Sequence, residues 1–405
     1  MMKSRDAVIV KALRTPVGKY GGALREVRPD DLGALVIRRL VKETRIDPDS
    51  IDDVMWGCAN QAGEDNRNVG RMSALLAGVP YSVPGNTINR LCGSSLDAII
   101  QATRAIWADD AAIIIAGGVE SMSRAPYSVP KNLTGSFGNV TAFDTALGWR
   151  YPNAALEKMF PLESMGETAE NVAERYGISR GEQDQFALES HQKAVEAQRK
   201  GIFASELVPV ELPGKKGSPA KVDCDEGPRP DTLLEKLAKL QPVFRQNGTV
   251  TAGNSSSLND GAAGLVIMEA RKAAQLKLKP LARVVATGIA GVDPRFMGIG
   301  PVPATTQALG KAGLDIDAIG IVELNEAFAA QALAVLRDLR IPSERVNRNG
   351  GAIAIGHPLG CSGARIMTTL LHEMGRSGVR YGLATMCIGV GQGIAVIVES
   401  AQQAT

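Results

Sequence analysis

IDPDSIDDV at residues 46–54 recurs, altered, as LDIDAIGIV at residues 314–322. Both read Φ-Asp-x-Asp-x-Ile-x-x-Val, with Φ an apolar residue, and both run into a strand-like segment at a constant offset of 268. The same offset carries Ser94-Ser95-Leu96 onto Ser362-Gly363-Ala364, and AIIIAGG (112–118) onto RYGLATM (380–386). Three patches at one displacement indicate a duplicated chain. Each half then ends in a similar strand, GLVIMEA at 264–270 and GIAVIVES at 393–400. Far more chain separates Ala116 from Glu269 than separates Ala384 from Glu399, so the first half carries an insertion over about residues 123–250. That insertion holds polar helical patterns, ETAENVAERYG and SRGEQDQFALESHQKAVEAQRKG, and a Pro/Gly-rich charged stretch at 213–230.

Apolar strands alternating with helical periods predict an α/β fold whose sheets are mostly parallel and covered on both faces. The domain expectation is a first half at 1–122 and 251–274, the inserted loop domain at 123–250, and a second half at 275–405. The segment AVIVKALR near the start reads as a first strand, too short in its apolar run for a signal peptide. No apolar run approaches the ~20 residues that a membrane helix needs. The 405 residues carry a net charge of +2, which argues against a nucleic-acid or membrane-surface binder. Five cysteines, at 58, 92, 224, 361 and 387, show no C-x-x-C pair; neither a disulfide framework nor a metal site is expected, and the cytoplasm is the default location.

Four segments carry reactive residues. In NRLCGSSLDAIIQATRAIWADD, apolar positions 96, 99, 100, 103, 106 and 107 follow a helical period. Ser94 or Ser95 would cap that helix, placing Cys92 at its N-terminus, where free N–H groups favour a thiolate. Gly93 would let a substrate approach the backbone. Cys92 could equally be a small buried hydrophobe in a strand-to-helix turn. The second segment, NRNGGAIAIGHPLGCSGARIMTTLLHEM, is the duplicate's counterpart, and the offset maps Cys92 onto Gly360, close to His357. If the halves face one another across a pseudo-two-fold axis, Cys92 and His357 meet there. The other histidines, His191 and His372, fall in polar-patterned helices and are expected to be solvated. In the third, TMCIGVGQG (385–393), Cys387 ends a strand and enters a turn rich in glycine. Such a turn exposes N–H groups to an oxyanion or substrate, and its spacing departs from the dinucleotide fingerprint. In the fourth, ELNEAFAAQALAVLRDL, Asn325 and Glu326 stand between a strand and a helix as a local cap.

Taken together, NRLCGSS, NEAFA, GGAIAIGHPLG and the final Cys-x-Gly-x-Gly turn resemble the four signature blocks of the thiolase family, in the family's order. The resemblance extends over the chain through ALRTP (12–16), GGVESMSRAPY (117–127) and TAGNSSSLNDGAA (251–263). It implies a duplicated βαβαβαββ unit, a five-layered α-β-α-β-α core and an inserted loop domain. It further implies that Cys92 is the acyl-accepting nucleophile, His357 the base that activates it, and Cys387 the acid/base at the Cα of acetyl-CoA. Asn325 would hold a water that forms one oxyanion hole with His357; the N–H groups of Cys92 and Gly389 would form the other. Ser256, Phe244, Ala252, Leu156 and Met165 match coenzyme A or acyl-pocket positions. Coenzyme A and acyl-CoA enter as substrates, with no tightly bound cofactor and no metal, in a homodimer or homotetramer.

Ser164, Ser95, Arg348 and Val390 depart from residues frequent in the family, and Val390 stands where glycine is common. CIGVGQG with GCANQAGEDNRNVGRM (57–72) looks most like the 3-oxoadipyl-CoA thiolase subgroup. That substrate would require a cation for its distal carboxylate, with Arg71, Arg124, Arg150 and Arg295 as candidates. An elongating ketosynthase would need a second histidine in a suitable turn, and a hydroxymethylglutaryl-CoA synthase would lack the acid/base cysteine. A non-catalytic acyl-CoA-binding relative would be expected to have lost Cys92, His357 or Cys387.

Overall fold

The computed structural model describes residues 5–131, 138–212 and 220–402. Part of the Pro/Gly-rich stretch, 213–219, lies outside the described residues. The first half contributes β1 (Ala7–Arg14), α1 (Pro29–Thr44), β2 (Asp53–Gly57), α2 (Val69–Leu76), β3 (Gly85–Ile88), α3 (Ser94–Trp107) and β4 (Ile113–Ser121). The insertion then supplies α4 (Met165–Tyr176) and α5 (Arg180–Arg199), and β5 (Asn259–Glu269) returns to the first half. The second half follows as β6 (Ala282–Gly291), α6 (Pro301–Ala312), β7 (Ile319–Leu324), α7 (Ala329–Leu339), α8 (Leu359–Ser377), β8 (Tyr381–Ile388) and β9 (Gln392–Ser400).

Nine strands run in the order β3-β2-β4-β5-β1-β6-β9-β8-β7, and a two-residue strand, Gly18–Lys19, pairs beside β5. The equivalent strands β1 and β6 meet antiparallel through two residue pairs, Val8↔Arg283 and Ile9↔Ala282. Antiparallel pairing of equivalent strands is what a two-fold relation between the halves requires. The expected parallel sheet is corrected in one respect. Only β2–β3, β2–β4 and β7–β8 are parallel ladders, because β5 and β9 run against their neighbours and separate the rest. Burial on both faces holds nonetheless, and every residue of β4 and β5 is buried.

Three apolar clusters define the layers. Leu32, Val36, Ile37 and Leu40 of α1 cover one face of the first half-sheet against Val8, Val10 and Trp56. Val335, Leu336 and Leu339 of α7 cover the outer face of the second half-sheet against Ile319 and Val322. Between the half-sheets lie α3 and α8, where Leu96, Ile99, Ile100, Ile366, Met367 and Leu370 join Ile9, Ile114, Ile267, Met386 and Val396 in one core. Each such fully buried aliphatic side chain contributes about 1.5–3 kcal/mol. The result is five layers, α-β-α-β-α. Trp107, expected on the apolar face of α3, is 38 % exposed at the helix end.

The two central helices cross at their N-terminal ends. A Cβ on Gly363 would lie 2.4 Å from the Leu96 backbone nitrogen, so only glycine permits this approach. Beside it, Ser95 Oγ accepts from the Ala364 N–H at 2.8 Å, bonding residues that the duplication makes near-equivalents. That bond is the structural use of the departure at Ser95. Packing thus fixes the ends of α3 and α8, from which Cys92 and His357 project, relative to one another.

Although it is inserted in the first half, the α4–α5 segment packs on the second. Ser164 with Glu167 and Ser179 with Glu182 form capping boxes that start α4 and α5. Val172 and Ile178 pack with Ala334, and Ala187 with Ala329 and Ile353. Ser190 Oγ donates to Glu326 at 2.7 Å. The insertion is therefore carried onto α7 and the loops that follow β7 and precede α8. None of the described helices is long and apolar enough to cross a membrane.

Candidate active site

Cys92 lies in the turn between β3 and α3, two residues before the helix begins. Leu91, just before it, has φ +46, an unusual conformation for a branched apolar residue and a local store of strain. The expected serine cap is absent. Gly93 is the N-cap, and Ser94 Oγ instead donates to Leu91 O at 2.6 Å and accepts from the Arg90 N–H at 2.9 Å, clamping the turn. At Gly93 a Cβ would meet Ile388 Cδ1 at 2.5 Å. Its small size serves the approach of the Cys387 strand, β8.

The backbone N–H groups of Gly389 and of Cys92 itself favour the Cys92 thiolate. Burial outweighs both, and pushes the thiol up to about 11 rather than down. At rest Cys92 is a thiol that needs a base. Cys387, at the end of β8, is 1 % exposed, and its thiol is pushed up by burial and then by the neighbouring Cys92. Two sulfurs and the Gly389 N–H therefore converge. The turn they share is under strain at Val390, whose φ is +62, while Gly391 takes φ +77 freely.

His357 stands between Gly356 and Pro358, before α8, and is 5 % exposed. Its N–H donates to Asn259 Oδ1 at 2.9 Å. Its Nδ1 lies 2.6 Å from Ser362 Oγ, which donates to Pro358 O at 2.8 Å. With the hydroxyl proton committed to that carbonyl, Nδ1–H donates to Ser362 and Nε2 keeps its lone pair. Asn325 Nδ2 lies 3.4 Å from Nε2 and donates towards it. Burial, followed by the Arg365 charge, lowers the imidazole to about 3, so His357 is neutral across physiological pH. That depressed value gives a stability prediction. The unfolded chain binds the His357 proton below about 6.5 and the folded one does not, so stability is lost as pH falls from 6.5 towards 3. His357→Asn is expected to lose less unfolding free energy than wild type between pH 7 and 5, as read from urea midpoints at the two pH values. An equal loss in both proteins would contradict the buried neutral imidazole.

Asn325 is fully buried, its N–H donating to Thr385 O at 3.0 Å, and its Oδ1 has no partner among the described residues. An orphaned buried acceptor beside His357 suits an ordered water or a substrate group. Neither Asn325 nor Glu326 caps α7, which starts at Ala329 with Phe328 as its N-cap. Glu326 accepts instead from Ser190, Asn347 Nδ2 at 2.7 Å and the Ile353 N–H, and locks the loop that precedes His357.

Glu120 joins the halves, a role the sequence reading missed. Its carboxylate accepts from Ala59 N–H at 2.9 Å, Asn60 N–H at 3.1 Å and Gly360 N–H at 2.7 Å. Burial pushes it up to about 7, and its charge in turn raises Cys92. Cys58 and Asp65 lie against it, a trio of metal-ligand types. Both Glu120 oxygens are already taken by backbone donors, and the Cys58 thiol faces Asp65 at 3.7 Å, so the trio reads as a hydrogen-bonded knot.

Among the matched pocket positions, Met165 opens α4, and its Sδ lies 3.3 Å from where a Gly389 Cβ would be. Phe244 is half-buried, sits edge-on to Phe328 with ring centroids 6.3 Å apart, and packs in the cluster that contains Cys387. The Ser256 N–H donates to Ala327 O at 2.9 Å, beside the Asn325 loop, and Ala252 is exposed on the preceding turn. Leu156 is half-buried on the short helix Ala154–Met159 and joins none of the buried clusters among the described residues. His191 is buried rather than solvated, and His372 is half-buried. His191 is 5 % exposed and accepts from the Arg229 N–H, and His372 bonds Ala12 O at 3.1 Å and Ser205 at 3.1 Å.

Comparison with known proteins gives the chain's relatives. The family described as "Thiolase, N-terminal domain" matches residues 7–271, and "Thiolase, C-terminal domain" matches residues 278–400. A β-ketoadipyl-CoA thiolase of Acinetobacter baylyi is 55 % identical over 399 residues, covering 98 % of this chain and 99 % of that one. A 3-oxoadipyl-CoA/3-oxo-5,6-dehydrosuberyl-CoA thiolase of Escherichia coli is 56 % identical over 398 residues, with the same shares covered. The crystal structure of a Bacillus anthracis acetyl-CoA acetyltransferase superposes with a TM-score of 0.92 at 41 % identity, covering 98 % of each chain.

Proposed function

The chain belongs to the thiolase family, and on that premise we propose that Cys92, His357, Cys387, Asn325 and Gly389 are its catalytic set. The enzyme is an acyltransferase. It cleaves a 3-oxoacyl-CoA with coenzyme A into acetyl-CoA and a shortened acyl-CoA, or runs the reverse condensation. The observation that carries the assignment of roles is the meeting of two protonated thiols and the Gly389 N–H.

In the cleavage direction, His357 Nε2 takes the Cys92 proton and the thiolate attacks C3 of the substrate. The C2–C3 bond then breaks, and its electron pair becomes the enolate of acetyl-CoA. Cys387 gives its proton to C2 and is left as a thiolate. Incoming coenzyme A passes its thiol proton to Cys387 and attacks the acyl group, and Cys92 leaves and recovers its proton from His357. Charge on the C3 oxygen faces the N–H groups of Cys92 and Gly389. Protonated His357 offers Nε2–H to the enolate oxygen, beside a water held at Asn325.

Ser256, Phe244, Ala252, Leu156 and Met165 would line the path of coenzyme A and the acyl chain, on the inserted segment 123–250 and its edges. The halves 1–122 with 251–274, and 275–405, would form the two units around it. The enzyme would act in the cytoplasm as a homodimer or homotetramer. Its relatives' names favour a dicarboxylic substrate, 3-oxoadipyl-CoA. Wild type is expected to show kcat/KM for 3-oxoadipyl-CoA at least ~10-fold above that for acetoacetyl-CoA and for a long-chain 3-oxoacyl-CoA. Preference for the long chain would discard the dicarboxylic substrate and leave the thiolase reaction standing.

A further inference from the structure

A dicarboxylic acyl chain needs a cation near Cys92. Attack at C3 of 3-oxoadipyl-CoA leaves a succinyl group on sulfur, with its carboxylate carbon ~4 Å from the thioester carbon. The four candidate arginines can now be told apart. Arg71 donates to Tyr81 O and Val83 O, which precede β3, whereas Cys92 follows the opposite end of that strand. Arg124 is already paired, through Nε and Nη2, with Glu64. Arg295 is 45 % exposed and lies 3.6 Å from Glu163.

Arg150 differs. It is half-buried, and its guanidinium donates to two neutral carbonyls, Thr145 O at 2.8 Å and Asn60 O at 3.3 Å. Among the described residues no carboxylate lies within ion-pair distance of it. The nearby acids Glu120 and Asp65 are turned onto backbone N–H donors and Cys58. A guanidinium has five N–H donors in a planar fork that matches a carboxylate, and here neutral carbonyls hold two of them.

Its place is equally specific. Ala59, next to Asn60, accepts from Asn89 Nδ2 at 2.9 Å, and Asn89 Oδ1 accepts from the Leu91 N–H at 2.9 Å, one residue before Cys92. On the other side, Trp149 Nε1 donates to Glu163 O at 3.1 Å, two residues before Met165, which abuts Gly389. The segment that bears Arg150 thus spans from the Cys92 turn to the Gly389 turn. We propose that Arg150 binds the distal carboxylate of the acyl chain, giving up its two carbonyls for a bidentate ion pair. This specificity role rests on the dicarboxylic reading above.

The test compares 3-oxoadipyl-CoA with 3-oxohexanoyl-CoA, which has the same chain length and no carboxylate, on the full-length enzyme and on Arg150→Met and Arg150→Lys. For Arg150→Met, kcat/KM for 3-oxoadipyl-CoA is expected to fall about 100-fold, while that for 3-oxohexanoyl-CoA stays within twofold of wild type. The lysine variant should recover part of the loss, since it returns the charge without the fork. An equal fall on both substrates would show that Arg150 only holds the 58–60 loop, and would overturn the proposal. So would an unchanged ratio in a wild type that discriminates, with the dicarboxylic reading left intact. A wild type that does not discriminate between the two substrates would overturn both.

Discussion

Cys92→Ser is expected to lower thiolysis of acetoacetyl-CoA by at least ~10⁴-fold, because the nucleophile is lost while its surroundings are kept. Serine is close to cysteine in size and leaves the Ser94 clamp and the Gly93–Ile388 contact in place, so melting temperature and circular dichroism should hardly change. What changes is the proton transfer. The Cys92 thiol sits at about 11, already high for a thiol, and His357 is a weak base at about 3. The resting pair is therefore neutral, and the thiolate forms only as the C3 oxygen draws charge towards the Gly389 and Cys92 N–H groups. A serine hydroxyl, far less acidic than a thiol, cannot follow that path with so weak a base. Loss of the 3-oxoacyl enolate absorbance measures the outcome; activity within tenfold of wild type would remove Cys92 from the mechanism.

Cys387→Ala should separate the two half-reactions. Acyl transfer to Cys92 needs the nucleophile, His357 and the N–H groups, all of which remain. Condensation needs a base for the Cα proton of acetyl-CoA and should fall by about 10³-fold. The raised thiol of Cys387 suits that task, since a thiolate that is hard to form binds a proton strongly. Part of the rise comes from Cys92, whose neighbouring negative charge opposes a second one. Once Cys92 is acylated it carries no charge, and Cys387 can ionise more readily at the step that calls for it. Mass spectrometry of the variant after incubation with acetyl-CoA should find acetyl-Cys92. Failure to trap it, or undiminished condensation, would refute the separation of roles.

The duplication was legible because its markers are local. A short 3₁₀ turn precedes a strand in each half, at Pro48–Ser50 and at Ile316–Ala318, where the repeated Asp-x-Asp motif lies. Three of the four reactive segments were legible for the same reason, as turns that carry glycine at 93, 350–363 and 389–393, whereas the fourth, at Asn325, has no glycine and read only as a local cap. What escaped depends on partners distant in the chain. The rise of the Cys92 thiol comes from burial that β8 and β4 complete, which no reading of the α3 N-terminus alone could include. Glu120 acts through Gly360, and Ser362 through His357, each across a turn whose conformation is set by packing. His191 is in a polar helix by pattern, yet α5 buries Gln183, Asp184, Ser190 and His191 against the loops of the second half and the insertion.

The position of β1 has a consequence for how the chain is made. Its sheet partners are β5 at residues 259–269 and, for two residues, β6. During synthesis β1, buried on both faces in the native state, waits for 245 further residues, from Arg14 to Asn259, before the strand that pairs along its length exists. Closing so long a loop is slow, and the unpaired apolar edges of β1 and β4 stay open to other chains meanwhile. A nascent chain stalled before residue 259 should therefore be a client for chaperones, and a polypeptide truncated there should aggregate rather than fold as a half.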